Sequence, residues 1–316
     1  MTSRSARSTP STSRVALWRD ARFWQWAGQG LAVAVVGLIL FLLWSNLTRN
    51  LQRLGLEPGF DFLKFQAGFG IGETPIAYQP TYSYWRALFV GLVNSLRVIV
   101  FGIGLATAVG LAAGIARLSR NWLLRQLAMV YVEILRNTPL LLQLFFWYFA
   151  VFLSLPKEGE INLAGISISN AGITLPGGLQ LSPEFSALLL GLTFYTGTFI
   201  AEIVRAGIQS VPRGQSEAAR SLGLKPALVL WLVILPQALR SIVPPLGNQY
   251  LNLAKNSSLA LAVGYPDLYA IASTTYNQTG RAVEVMILIM SSYLLISLVI
   301  SLLLNFYNRS VQLVER

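Results

Sequence analysis

Cysteine and histidine are both absent from the 316-residue chain. Without cysteine there is no disulfide, no thiol nucleophile and no thiolate ligand for a metal. Without histidine the commonest general base and metal ligand is missing. Hydrolytic chemistry would fall to carboxylates, and Asp and Glu together number only 13. Charge of any sign is scarce, at 12% of residues, about half the roughly 25% usual in soluble domains. Apolar residues make up 54%. They recur in runs of about 20 or more, the length that crosses the hydrocarbon core of a bilayer. The expected class is an all-α integral membrane protein with no catalytic residues and no metal site.

The charge that is present leans basic, with a formal balance of +11. That balance fits a polyanionic partner, or it marks the cytoplasmic side of membrane helices. Position separates the two. Six spans are expected, near 23–47, 89–115, 127–155, 185–204, 239–263 and 283–306. With residues 1–22 inside, the inner segments hold Arg4, Arg7, Arg14, Arg19 and Arg22; Arg117, Arg120 and Arg125; Arg205, Arg213, Arg220, Lys225 and Arg240; and Arg309 and Arg316. These are fifteen of the 24 basic residues, whereas the outer segments hold six: Arg49, Arg53, Lys64, Arg86, Lys157 and Arg281. Both termini are therefore expected in the cytoplasm. The lipid bilayer is the expected surrounding, and nucleic acid is set aside as a partner.

Residues 1–22, rich in Ser, Thr and Arg, read as a disordered basic tail. The following run is too long for a signal-peptide core and has no small-residue cleavage site after it, so a retained first helix over 23–47 is expected. Pro139 and the Pro244–Pro245 pair fall inside spans and should bend them or end a turn. Two outer segments are long. Residues 48–86 are aromatic and glycine-rich, and 156–183 alternate around Asn170 and Gly172, which suggests a small hairpin. Either could be a spacer or a platform for an outside partner. Gly102, Ala106, Gly110 and Gly114, four apart, make a smooth face for close helix packing.

No GxxxxGK[ST] string occurs, and "GIGLAT" at Gly102 lacks the third glycine of a dinucleotide fingerprint. The chain is not expected to bind nucleotide, so active transport would need an outside energy source or an ion gradient. One stretch, "GQSEAARSLGLKPALVLWLVILPQ" over 214–237, interrupts the apolar pattern. Good helix formers run from Gln215 to Leu222, with Glu217 and Arg220 able to pair at i,i+3. Gly223 stands as a helix stop, and Lys225–Pro226 begins a second helix. Two short helices joined at a glycine make an elbow. Composition alone leaves two readings open: a docking element, or an amphipathic linker on the headgroups.

Glu217-Ala218-Ala219, then Gly223, then nine residues and Val233-Ile234-Leu235-Pro236 complete the pattern EAAxxxGxxxxxxxxx[IV]xLP. This resembles the EAA loop of ABC-importer permeases. "FIAEIVRAGIQSVPRGQSEAARSLG", "LPQALRSIVPPLGNQYLNLAKNSSLALAVGYPDL" and "YVEILRNTPLLLQLFFWYF" are similar to the polar amino-acid permease family, over roughly residues 85–310. "GFDFLKFQAGF" and the extra first span look like its general L-amino-acid (Aap/Bzt-type) branch. The resemblance implies a MetI-like core of five helices over 87–310, with a cytoplasmic coupling loop at 213–236. To this are added the helix 23–47, a periplasmic segment 48–86 and a short cytoplasmic tail 311–316. It implies an inner-membrane subunit that imports polar or general L-amino acids by alternating access. Its partners would be a second, different permease subunit, a periplasmic amino-acid-binding protein and an ATPase dimer that carries the ATP and Mg; this chain would hold no cofactor. Glu217, Ala218, Ala219 and Gly223 would couple to the ATPase.

Charges within a membrane are functional candidates by default. Glu202 lies one turn before Arg205 and either pairs with it or meets a substrate ammonium group. Tyr195 and Thr198, at i−7 and i−4, share its face. Lys255 either snorkels outward or meets a substrate carboxylate. Glu133 and Arg136 are spaced to pair with each other. Two other classes suit a multi-span apolar chain. An ion-gradient-driven secondary transporter would need broken helices and an internal repeat, and no repeat is visible. A non-transporting scaffold leaves the complete EAA pattern without a reason.

Overall fold

The structure, a computed structural model, describes residues 21–53, 55, 59–155, 161–163 and 165–311. Most of the expected terminal tails, and Lys157, lie outside the described residues. Among the described residues five helices are long and apolar enough to cross a membrane, or six when a bent pair counts as one span. The chain divides into two compact units at Gly59. The first unit holds α1 (Ala21–Arg53), a single helix apolar on all sides.

The second unit is a helical core built from α2 (Tyr84–Ala116), α3 (Trp122–Arg136), α4 (Leu140–Phe145) with a π-turn to Phe152, and α5 (Pro183–Gln209). It continues through α6 (Arg213–Ser221), α7 (Pro226–Leu228), α8 (Leu235–Asn256), α9 (Leu268–Thr279) and α10 (Ala282–Val311). α5 is central and packs on α2, α3, α4 and α8. The small-residue face of α2 does what its spacing predicts. A Cβ on Gly110 would sit 2.5 Å from Ile200 Cβ, and one on Gly114 would sit 2.8 Å from Ala201 O, so α2 and α5 touch backbone to backbone.

The third expected span is not one helix. α3 and the α4 segment meet at 107°. Pro139 sits at the break as the residue before α4, where it cannot continue the α3 ladder. The side-chain amide of Gln143 reaches back to the Leu135 and Thr138 carbonyls at 2.8 and 3.0 Å and satisfies the groups the break frees. The expected hairpin belongs to a larger unit, a four-stranded antiparallel meander in the order β1-β2-β3-β4. Its strands are Ile161–Leu163, Ile166–Ser169, Gly172–Thr174 and Gln180–Leu181. The Asn170–Ala171 turn joins the middle pair, Ser169 opposing Gly172. Gly172 has φ +107, and a Cβ there would lie 2.0 Å from Leu181 O.

At the same end of the core, residues 60–83 fold onto α2 and α9. Phe62 and Ala67 are buried with Leu88, Leu268 and Ile271. Helix α9 lies in a stretch with no sequence expectation. Asp267 caps it, accepting the Ala270 N–H at 2.8 Å and the Tyr293 hydroxyl at 3.2 Å. Burial raises the Asp267 carboxyl from 3.8 to about 7, against the hydrogen bonds that favour its ionised form. A carboxyl with a raised folded pKa holds its proton more tightly in the folded chain. Its stabilising contribution is therefore full below about pH 4 and is lost as pH rises through about 7. Asp267→Asn keeps a capping side chain and removes the titration. It is expected to flatten the decline of thermal stability over that window and to add up to a few kcal/mol above it. Melting curves across pH in detergent check this, and an unchanged slope would rule the assignment out.

Candidate functional site

The elbow is present, and its local chemistry explains it. α6 ends at Gly223, whose φ of +80 is the left-handed conformation. The Gly223 N–H donates to Arg220 O at 2.9 Å and the Leu224 N–H to Ala219 O at 3.3 Å. These two bonds form a Schellman motif, the helix stop that glycine favours. Ala219 is buried against Val229 and Ile234, with Leu224 beside it. Glu217 and Ala218 face outward. Of the two alanines, only Ala218 thus lies on the outer flank; Ala219 is the seam between the two arms. The expected Glu217–Arg220 pair is not among the ion pairs of the described residues.

The second arm differs from the short helix that the sequence suggests. From Pro226 the chain stays helical to Val263, through a π-turn over Val229–Ile234, as a 38-residue apolar element. The apolar run LVLWLVIL gives no stop signal. Pro236 has no N–H and crowds the carbonyl four residues back, and the wider π-turn just before it accommodates both effects. The arm is thus the start of the expected fifth span. The arms also meet through the side chains of Gln237 and Gln215 at 3.4 Å, and Ser210 and Ser241 approach to 3.1 Å.

The structure places Glu202 in a three-residue cluster. One carboxylate oxygen pairs with Arg117, which caps the C-terminus of α2. The other accepts from Arg205 Nε and Nη2 at 3.0 and 2.8 Å. The cluster therefore ties α2 to α5. Burial first, then the positive charges of Arg205 and Arg136, press the Arg117 guanidinium below its ordinary value, while Glu133 opposes them. Thr198 is fully buried and donates to the Tyr195 carbonyl at 2.7 Å. Tyr195 is half-buried, its ring edge-on to Phe199. Lys255 is exposed in the last turn of α8, where the helix dipole favours a cation. Arg136 is not paired with Glu133 among the described residues; it lies 5.6 Å over the Phe199 ring.

A second intramembrane charge was not singled out from the sequence. Arg97, inside the apolar run of α2, pairs with Glu73 at 2.8 Å and lies 5.0 Å over the Phe185 ring. Glu73 also accepts the Ser182 hydroxyl at 2.6 Å, and Asn94 bonds the Glu73 and Pro266 carbonyls, each at 2.9 Å. This network joins the 60–83 segment, α2, the start of α5 and the loop before α9. A lone arginine in an apolar run is itself a signal that a partner must exist.

Long apolar helices packed around a central one, with a short polar elbow between two of them, define a multi-span membrane protein. Residues 82–313 match the family described as binding-protein-dependent transport system inner membrane component. The chain belongs to that family and is a permease subunit of an amino-acid ABC importer. It is 42% identical to the putative amino-acid ABC transporter permease protein YhdX of Escherichia coli K12, over 92% of this chain and 95% of that protein. It is 38% identical to the general L-amino acid transport system permease protein AapQ of Rhizobium johnstonii, over 90% and 92%. The crystal structure of an amino acid ABC transporter with histidines is 30% identical, with a TM-score of 0.58 over 72% of this chain and 95% of that one.

Proposed function

We propose that this subunit imports polar or general L-amino acids across the bacterial inner membrane by alternating access, driven by ATP on a separate ATPase dimer. The observation that carries the reading is the unbroken helix from Pro226 to Val263. An ATPase gripping α6 would move α8 as a lever without an intervening loop. Glu217 and Ala218 offer the outer contact, Ala219 holds α6 to the lever and Gly223 sets the angle. ATP and Mg bind on the ATPase. A second, different permease subunit completes the pore and a periplasmic binding protein delivers cargo; the family's description as binding-protein-dependent supports the second of these. Both termini then lie in the cytoplasm, in keeping with the bias of Lys and Arg.

The test is reconstitution of the purified complex in proteoliposomes. Uptake of labelled amino acids is expected to require ATP inside and to survive collapse of ion gradients; uptake that follows a sodium or proton gradient instead identifies a secondary transporter. Competition among unlabelled amino acids then reads out the cargo range.

Glu202, with Tyr195 and Thr198 on its face, and Lys255 in the last turn of α8 are the proposed contacts to substrate; Thr198 would have to leave its buried bond to the Tyr195 carbonyl to serve as one. The two arginines on Glu202 favour a second reading for that residue, a tie between α2 and α5. Glu202→Gln separates them. A substrate role raises KM for uptake about tenfold or more, as expected when one charged partner of a charge-assisted bond is lost. A tie lowers thermal stability and leaves KM unchanged.

A further inference from the structure

A cavity of about 780 Å³ opens between the C-terminal ends of α2 and α5, the α2–α3 turn and the elbow. It lies within the roughly 300–1,000 Å³ usual for small-ligand sites. Its floor is apolar, with Ala112, Ile115 and Val229 among the residues that line it, and its charged residues are Arg120, Arg213 and Arg220 with no acidic side chain. The three arginines come from different places: the α2–α3 turn, the start of α6 and the last turn of α6. Among the described residues none of them is in an ion pair. Glu217 lies four residues after Arg213 and three before Arg220, close enough on the helix to pair with either, yet both line the cavity. Arg213 also stands in the first turn of α6, where the helix dipole disfavours a cation and favours an anion.

We propose that this cavity binds an anionic phospholipid, its phosphate held by Arg120, Arg213 and Arg220 and its acyl chains lying on the apolar floor. The level in the membrane agrees. Trp122, two residues from Arg120, and Trp231, next to the lining residue Leu230, are exposed. Exposed tryptophans mark the headgroup region. Basic pockets between membrane helices on the cytoplasmic side suit anionic headgroups. A lipid so held bridges the α2–α3 turn and the coupling arm, and makes the seating of the elbow depend on the composition of the inner leaflet. The proposal rests on the cytoplasmic placement of this end, and not on the docking of the ATPase.

The experiment uses the complete importer, equilibrated with phosphatidylcholine and phosphatidylglycerol and analysed by native mass spectrometry. The wild-type complex is expected to retain phosphatidylglycerol in preference. Arg120→Gln, outside the elbow, should reduce that preference about fivefold, since one basic side chain near an anionic surface is worth on the order of 1 kcal/mol. Ala112→Trp, which fills the floor, should do the same by a different route. Both variants should still copurify with the ATPase, so a failed coupling assignment would leave the lipid readout intact. Ser119→Cys would be the only thiol in a chain without cysteine, and phosphatidylglycerol should slow its labelling by a water-soluble maleimide. Equal retention of the two lipids, or a preference indifferent to both variants, overturns the proposal. So does protection of the thiol that requires the ATPase and ignores lipid, which assigns the cavity to a segment of that subunit.

Discussion

Gly110→Leu is expected to yield no folded permease, and Gly110→Ala to be destabilised by about 1–3 kcal/mol, the range for forcing extra volume into a packed core. The cause is the contact between α2 and α5. At position 110 the first side-chain carbon alone would lie 2.5 and 2.6 Å from Ile200 Cβ and Cγ2 and 2.9 Å from Gly197 O. Ile200 is fully buried and cannot swing aside, and a backbone carbonyl cannot yield without moving its helix. The two axes must therefore separate. Separation opens gaps along the whole seam, because Gly114 meets Ala201 and Val204 in the same way one turn on. Membrane helices gain little from burying apolar area against each other and depend on such close fit. Gly104 is the control within the same helix: a Cβ there would meet nothing within 4 Å. Gly104→Ala should gain up to about 1 kcal/mol from helix propensity. Opposite signs at the two positions, read as unfolding temperature in detergent, support the packing argument; equal losses at both would defeat it.

How much of this was legible follows from how local each signal is. The elbow stop, the hairpin turn and the smooth face of α2 are each written within a few residues, as a glycine at a left-handed position or a fixed spacing of small residues. The bend at Pro139 was legible as a bend, but its 107° was not. Proline only removes the ladder; the angle depends on what the freed groups find, here the Gln143 amide. Helix α9 had readable ends, Asp267 before it and Gly280 after it, but its mixed apolar and polar residues carry no strong period. The pairs Arg97–Glu73 and Arg117–Glu202 join residues far apart in the chain. No spacing rule reaches that far. The long second arm was missed for a simpler reason: a helix start at Pro226 was expected to make a short element, and nothing in LVLWLVIL ends it.

Gly223→Val is expected to lower ATP-driven uptake at least about tenfold while the permease remains folded, Gly223→Ala to lower it less, and Gly223→Asn to leave it close to wild type. The order follows from backbone conformation and not from side-chain size. Gly223 has φ +80, and a Cβ there would meet nothing within 4 Å, so no steric clash ranks the three. What ranks them is their tolerance of the left-handed region. Asn visits it readily, Ala at a cost of roughly 1–2 kcal/mol, and a β-branched residue only as a genuine outlier. A strain of about 1.4 kcal/mol already shifts an equilibrium tenfold. The chain relieves it by leaving the left-handed conformation, which breaks the bonds from Gly223 to Arg220 and from Leu224 to Ala219 and releases α6 from the lever. The bundle itself does not depend on those bonds, since the buried Ala219, Val229 and Ile234 are not part of the main core and meet it through the partly buried Ile208 and Val211. Thermal stability of the isolated subunit should therefore change little across the series, while ATPase copurification and uptake fall together. Should Gly223→Val transport normally with its ATPase bound, the elbow angle does not carry the coupling, and α6 docks by its outer residues alone.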